Sequence, residues 1–202
     1  MSDKAVVSEI KIVSADPSGL GVFGLAMVTL VASTQKLGIT AGLSLVIPWA
    51  MMLGGLAQII ACILDFRVKN LFGATAFGAY GLFWLAVSFT WMIRMGAFGP
   101  ELANAVDVKQ LGVAFIGYLI FSLYMTVAAM NTNKVLFAII FLINILFISL
   151  ALEAFFGGVF WQKTAGVVEL MISLTGFYAA AASTLNNQYG RTILPVGKKM
   201  MT

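Results

Sequence analysis

Six stretches of this chain are long and apolar enough to cross a lipid bilayer, and nothing else in the sequence constrains the fold as tightly. A spanning helix needs about 20 apolar residues. The runs are residues 20–35, 42–64, 71–94, 111–130, 134–153 and 164–185. The first is the shortest and carries Thr29, Ser33 and Thr34. In hydrocarbon only helices and closed barrels satisfy every backbone N–H and C=O. Barrel strands alternate in and out over about 10 residues. These runs are continuous, so they predict an all-α membrane protein with six transmembrane helices. Composition points the same way: 61% of residues are hydrophobic and 10% charged, against about 25% charged in a soluble domain.

The separators mark the boundaries. Lys36-Leu37-Gly38 ends the first run, and residues 65–70, with Asp65, Arg67 and Lys69, end the second. Those three charges read as a solvated loop cluster. Residues 95–110 form the longest loop, Asn131-Thr132-Asn133 a tight turn, and Gly157-Gly158 with Gln162-Lys163 bracket the last one. The domain reading is an arm over 1–18, one membrane domain over 19–185 and a polar tail over 186–202. Residues 5–13 form either a short interfacial helix or an extended arm, and no cleaved signal peptide is expected. Lys4, Lys11, Arg67, Lys69, Lys134, Arg191, Lys198 and Lys199 fall on one side; Lys36, Arg94, Lys109 and Lys163 fall on the other. The positive-inside rule then puts both termini in the cytoplasm.

Several function classes drop out. The chain has no histidine and one cysteine, Cys62, so neither histidine chemistry nor an internal disulfide is available. The net charge of +4 is scattered singly between apolar runs, with no basic stripe for nucleic acid. Gly19-x-Gly21-x-x-Gly24 matches a dinucleotide fingerprint only in spacing, because no strand precedes it. No cofactor or metal site is expected, and no enzyme activity. Small residues inside the runs, Ala74 and Gly78 among them, predict close helix packing.

Polar groups in hydrocarbon are costly unless paired or placed in a wet cavity, so they are the functional candidates. Gln58 and Asn144 lie mid-run and either face a pore or bond a neighbouring helix. Tyr80 lies far from either interface and needs a partner for its hydroxyl. Glu153 and Glu169 flank the last loop. They are either proton carriers or headgroup-level carboxylates near Lys163, with Glu169 suited to a helix N-terminal turn. Arg94 either attracts anions or snorkels to the interface.

Three stretches carry a likeness to a known family. They are Ala15-Asp16-Pro17-Ser18-Gly19-Leu20-Gly21; Gly54-Gly55-Leu56-Ala57-Gln58 running on through Asn70-Leu71-Phe72-Gly73 to Phe83-Trp84-Leu85; and Leu185-Asn186-Asn187-Gln188-Tyr189-Gly190-Arg191 to Pro195-Val196-Gly197. Over about residues 15–197 the chain resembles the acetate uptake transporter family. Asp16 stands where that family usually has Asn, and Gly19 where it has a second Pro. The resemblance implies a six-helix protomer in a ring-shaped hexamer, each protomer carrying its own path for acetate or another small carboxylate. It implies a neck at Leu25, Tyr80 and Ile143. Leu25 replaces the usual Phe, so either the neck is wider or Phe23 shares it. Gln58, Asn144, Trp84 and Thr29 are the substrate-binding candidates, with the cell membrane as location. Two other classes stay open: a channel for urea, water or ammonium, and a membrane sensor without flux.

Overall fold

The structure is a computed structural model that describes residues 15–201, and its regular elements are all helical. The arm over residues 5–13, with Lys4 and Lys11, lies outside the described residues. The six spans are Ser18–Leu37, Val46–Arg67, Leu71–Arg94, Val108–Ala129, Lys134–Phe156 and Val159–Tyr189. The first reaches full crossing length despite its hydroxyl residues. Thr29 Oγ1 donates to the Leu25 carbonyl at 2.8 Å, Ser33 Oγ to Leu30 at 2.7 Å and Thr34 Oγ1 to Val31 at 2.8 Å. Each hydroxyl is satisfied within its own helix.

Capping chemistry sets the ends. Asn70 Oδ1 accepts from the Gly73 amide at 3.2 Å and Asn133 Oδ1 from Leu136 at 3.0 Å, which starts the third and fifth spans. Gly38 (φ 76°) and Gly190 (φ 59°) close the first and sixth. Several boundaries differ from the sequence reading, and two of them bear on the loops. The last turn is Gly157-Gly158 alone, and Gln162 and Lys163 already lie in a sixth span of 31 residues. At 1.5 Å per residue that helix is about 46 Å long, more than the hydrocarbon depth. The loop at 95–110 holds a short helix, Pro100–Asn104, with proline at its first turn.

Each span packs on its sequence neighbours, and the sixth returns to the first, so the bundle closes as a ring. Small residues permit this closure. A Cβ on Gly176 would lie 3.0 Å from that of Ala26, and one on Gly19 would lie 2.8 Å from Thr184 Oγ1. Ser173 Oγ also donates across this seam to the Ala26 carbonyl at 2.8 Å. Between the second and third spans, a Cβ on Gly78 would meet Cys62 Sγ at 2.9 Å. Leu, Ile, Val and aromatic side chains on the outward faces are exposed, as lipid contact requires.

The expectation of a solvated Asp65 is overturned. Asp65 is 1% exposed, inside the second span, and accepts from Asn70 Nδ2 at 3.0 Å. It packs on Gly73, where a Cβ would collide with Oδ2. Asp65 thus steadies the residue that caps the third span. The tail after Gly190 folds back over the same end. Asn186 Oδ1 accepts from the Ile193 and Leu194 amides at 2.7 and 3.0 Å, and Tyr178 donates to the Pro195 carbonyl at 2.7 Å. Asp16 sits there too. Its carboxylate accepts from the Ser18 amide at 2.9 Å, Ser183 Oγ at 3.1 Å and Asn187 Nδ2 at 3.0 Å. Partial burial works to raise its pKa, but these hydrogen bonds outweigh burial and hold the carboxyl below its ordinary value.

Candidate functional site

The end of the bundle where the first span stops and the sixth begins encloses a cavity of about 480 Å³. Its lining includes Lys36, Trp84, Trp91, Arg94, Glu153 and Glu169. The size falls in the usual range for small-molecule sites. Lys36 Nζ lies 3.0 Å from both carboxylate oxygens of Glu169. Glu169 is 1% exposed, whereas Lys36, the donor to its carboxylate, is partly exposed and faces the cavity. Lys163 turns away and donates to the Leu37 carbonyl at 2.7 Å. The direct partner of Glu169 is therefore Lys36 and not Lys163. The helix-start position expected for Glu169 is wrong, because the sixth span begins at Val159 and buries Glu169 well inside it. Arg94 is exposed and Glu153 partly buried, and both line the cavity.

Phe83, Trp84 and Phe115 belong to both the cavity wall and the apolar core. Behind them, Phe147 packs edge-on to Phe83 at 5.2 Å and stacks near Tyr80 at 6.5 Å. Leu25, Tyr80 and Ile143 are all buried in this one cluster. Phe23 is not part of it. It faces outward, 38% exposed, edge-on to Phe177 at 6.1 Å. Thr29 is buried, with its hydroxyl turned back to its own helix. Trp84 alone of the expected substrate-binding residues reaches the cavity wall.

The interior polar groups form a chain. Tyr80 Oη and Ser122 Oγ are 2.9 Å apart, Thr126 Oγ1 donates to the Ser122 carbonyl at 2.8 Å, and Asn144 Nδ2 donates to Thr126 Oγ1 at 2.7 Å. Gln58 Nε2 donates to the Gly54 carbonyl at 2.7 Å, within its own helix. That carbonyl belongs to a π-helical stretch, Ala50–Ala57, a widening often found at functional sites. These partners set how the amides point. A carbonyl only accepts, so Gln58 must offer its nitrogen; with the Thr126 proton on the Ser122 carbonyl, Asn144 offers its nitrogen too. Gln58 Oε1 and Asn144 Oδ1 are left buried with no donor among the described residues.

Sequence reasoning singled out Tyr80, Gln58, Asn144 and Glu169. It missed Lys36 as a site residue, along with Ser122 and Thr126. Lys36 read as the end of a span. The signal available was its apolar stem followed by Gly38, which stops the helix with the amine still beside the bundle.

A closed ring of six apolar helices with a charged cavity at one end and buried acceptors inside defines a multi-pass helical membrane protein. The chain belongs to the GPR1/FUN34/yaaH family, whose model matches residues 4–198. The resemblance to acetate transporters holds at the level of named relatives. The succinate-acetate/proton symporter SatP of Escherichia coli (strain K12) is 32% identical over 185 residues, 91% of this chain and 96% of that protein. The ammonia transport outward protein 2 of Saccharomyces cerevisiae is 32% identical over 87% of this chain and 64% of its own length. The solved structure of the bacterial acetate channel SatP superposes with a TM-score of 0.85 at 32% identity, covering 92% of this chain and 100% of that one.

Proposed function

We propose that this protein carries acetate and related small monocarboxylates across the cell membrane, through a route enclosed by the six spans of each protomer. The observation that carries the reading is the pair of buried amide oxygens, Gln58 Oε1 and Asn144 Oδ1, each lacking a donor among the described residues. A buried acceptor left unpaired costs about 1–3 kcal/mol. A carboxylate has only acceptors and worsens that, whereas a neutral carboxylic acid brings an O–H and relieves it. An apolar neck at Leu25, Tyr80 and Ile143 discriminates in the same direction, since stripping water from an anion costs several kcal/mol. Acetic acid fits, with its methyl against Leu25 and Ile143 and its hydroxyl on an amide oxygen. Trp84 forms the entrance from the charged cavity, and Thr29 supports the neck from the first span.

Both termini in the cytoplasm, and a ring-shaped hexamer of such protomers, belong to the same proposal. The lysine and arginine distribution supports the first and the family resemblance the second. The buried acceptors would equally suit N–H donors, and one similar protein is named for ammonia transport, so ammonia is the second reading. Uptake of labelled acetate, methylammonium and urea into proteoliposomes separates them. Saturable acetate uptake with no gain for the other two is expected. Methylammonium or urea uptake without acetate uptake would reverse the assignment.

A further inference from the structure

The Lys36–Glu169 pair is a buried ion pair in a cavity wall, and no packing need accounts for it. Apolar side chains of similar length would hold the first and sixth spans together at least as well. The two helices already meet through small residues at this point, where a Cβ on Gly166 would lie 2.9 Å from that of Lys36. The charged groups facing Glu169 are few. Lys36 comes from the first span, Arg94 from the third, Glu153 from the fifth, and Lys163 from the sixth itself, with its amine engaged by Leu37. Glu169 depends on Lys36 as its direct partner.

We propose that Lys36 and Glu169 form a loading station at which the substrate's carboxylate receives its proton before entering the neck. The inference rests on the transport reading and assigns it a coupling residue. A carboxylate entering the cavity displaces Glu169 from the Lys36 ammonium. Glu169, buried and now without a counter-ion, takes one proton from the water of the cavity, so an uncharged pair has accepted one anion and one proton. The O–H bond of Glu169 then breaks as a new O–H bond forms on the bound carboxylate. The neutral acid leaves Lys36 for the interior acceptors, and the Lys36–Glu169 pair closes again. Charge is conserved at each step, and no oxidant or reductant is needed. Arg94 and Glu153 stand at the wider part of the cavity, Arg94 as the exposed cation that first meets the anion.

The test is the pH dependence of acetate uptake in proteoliposomes, corrected for protein-free vesicles. Well above the acid's own pKa, each pH unit removes about tenfold of the pre-formed neutral acid. With acetate held at saturating concentration, wild-type uptake is expected to fall less steeply than that, because the occupied station already holds the proton it took up on binding. Glu169→Gln can pass only pre-formed acid, and its uptake should fall about tenfold per pH unit. The double variant K36M/E169M keeps an apolar seam, so the fold does not hang on one uncompensated charge, and it should show the same steep slope. In lightly buffered detergent near pH 7.5, acetate binding at the cavity, where Trp84 and Trp91 stand, should draw about one proton per protomer in wild type; in Glu169→Gln the anion pairs with the uncompensated Lys36 ammonium and should draw none. If either variant keeps the wild-type slope, or Glu169→Gln still takes up the proton, the station is overturned. Wild-type vesicles that pass no acetate at any pH would instead sink the transport reading.

Discussion

Truncating Tyr80 separates the two jobs that its side chain performs. The ring is 4% exposed, edge-on to Phe121 at 5.3 Å and stacked near Phe147 at 6.5 Å, while its hydroxyl pairs with Ser122. Tyr80→Phe keeps the ring and loses one hydrogen bond, about 1 kcal/mol of stability. The neck keeps its width, so acetate flux should stay within about twofold of wild type. Tyr80→Ala removes the ring and should cost about 3–5 kcal/mol of stability. It also widens the neck enough for an acid to keep a water on its carboxyl. One retained hydrogen bond, about 1–1.5 kcal/mol, lowers the barrier and raises flux roughly tenfold. Longer acids such as butyrate should enter as well. The assay is labelled uptake of acetate and butyrate in proteoliposomes, with thermal unfolding in detergent alongside. If Tyr80→Ala leaves rate and chain-length preference unchanged, or Tyr80→Phe opens the path as far, Tyr80 does not form the neck.

Other substitutions probe separate parts. Gln58→Leu removes an interior acceptor at nearly constant volume and should slow acetate uptake about five- to tenfold, the worth of one neutral hydrogen bond; unchanged initial rates would remove Gln58 from the path. Gly54→Ala places a Cβ 2.7 Å from Trp84 Cγ, so it should cost about 1–3 kcal/mol by overpacking and shift the tryptophan emission, and an unchanged melting curve would contradict the packing. Asp16 has its carboxyl held below the ordinary value, so its anchoring of the first span's start to Ser183 and Asn187 is fully present above its unfolded pKa of about 3.9 and is lost as pH falls through the lower folded value. Pepsin cleavage ahead of Ser18 should therefore accelerate on acidification in wild type, and Asp16→Asn should flatten that dependence.

The spans were readable because apolar length is a one-dimensional signal, and lipid permits few other structures. Their bounds were less readable at the sixth span, where Gln162 and Lys163 look like a loop but cap no helix. The long helix tolerates them because its ends project beyond hydrocarbon. Tyr80, Gln58 and Asn144 were legible as uncharged polar groups in apolar runs. Their partners were not, since Ser122 and Thr126 look like ordinary small residues until the fourth span is packed on the third and fifth. Asp65 was misread because its neighbours in sequence are charged. Its burial comes from Asn70 and Gly73 in the next helix, a tertiary contact that a hydropathy run does not encode. Lys36 and Glu169 lie 133 residues apart, and only closure of the sixth span onto the first joins them.

The most direct test asks in which charge state the acid crosses. Vesicles holding the protein are loaded with potassium, and valinomycin imposes membrane potentials of either sign while acetate uptake and internal pH are followed together. Passage of the neutral acid predicts uptake above protein-free vesicles that acidifies the interior and ignores the potential. Uptake that rises when the interior is made positive would mean that the bare anion passes, and the role given to the buried amide oxygens would be wrong.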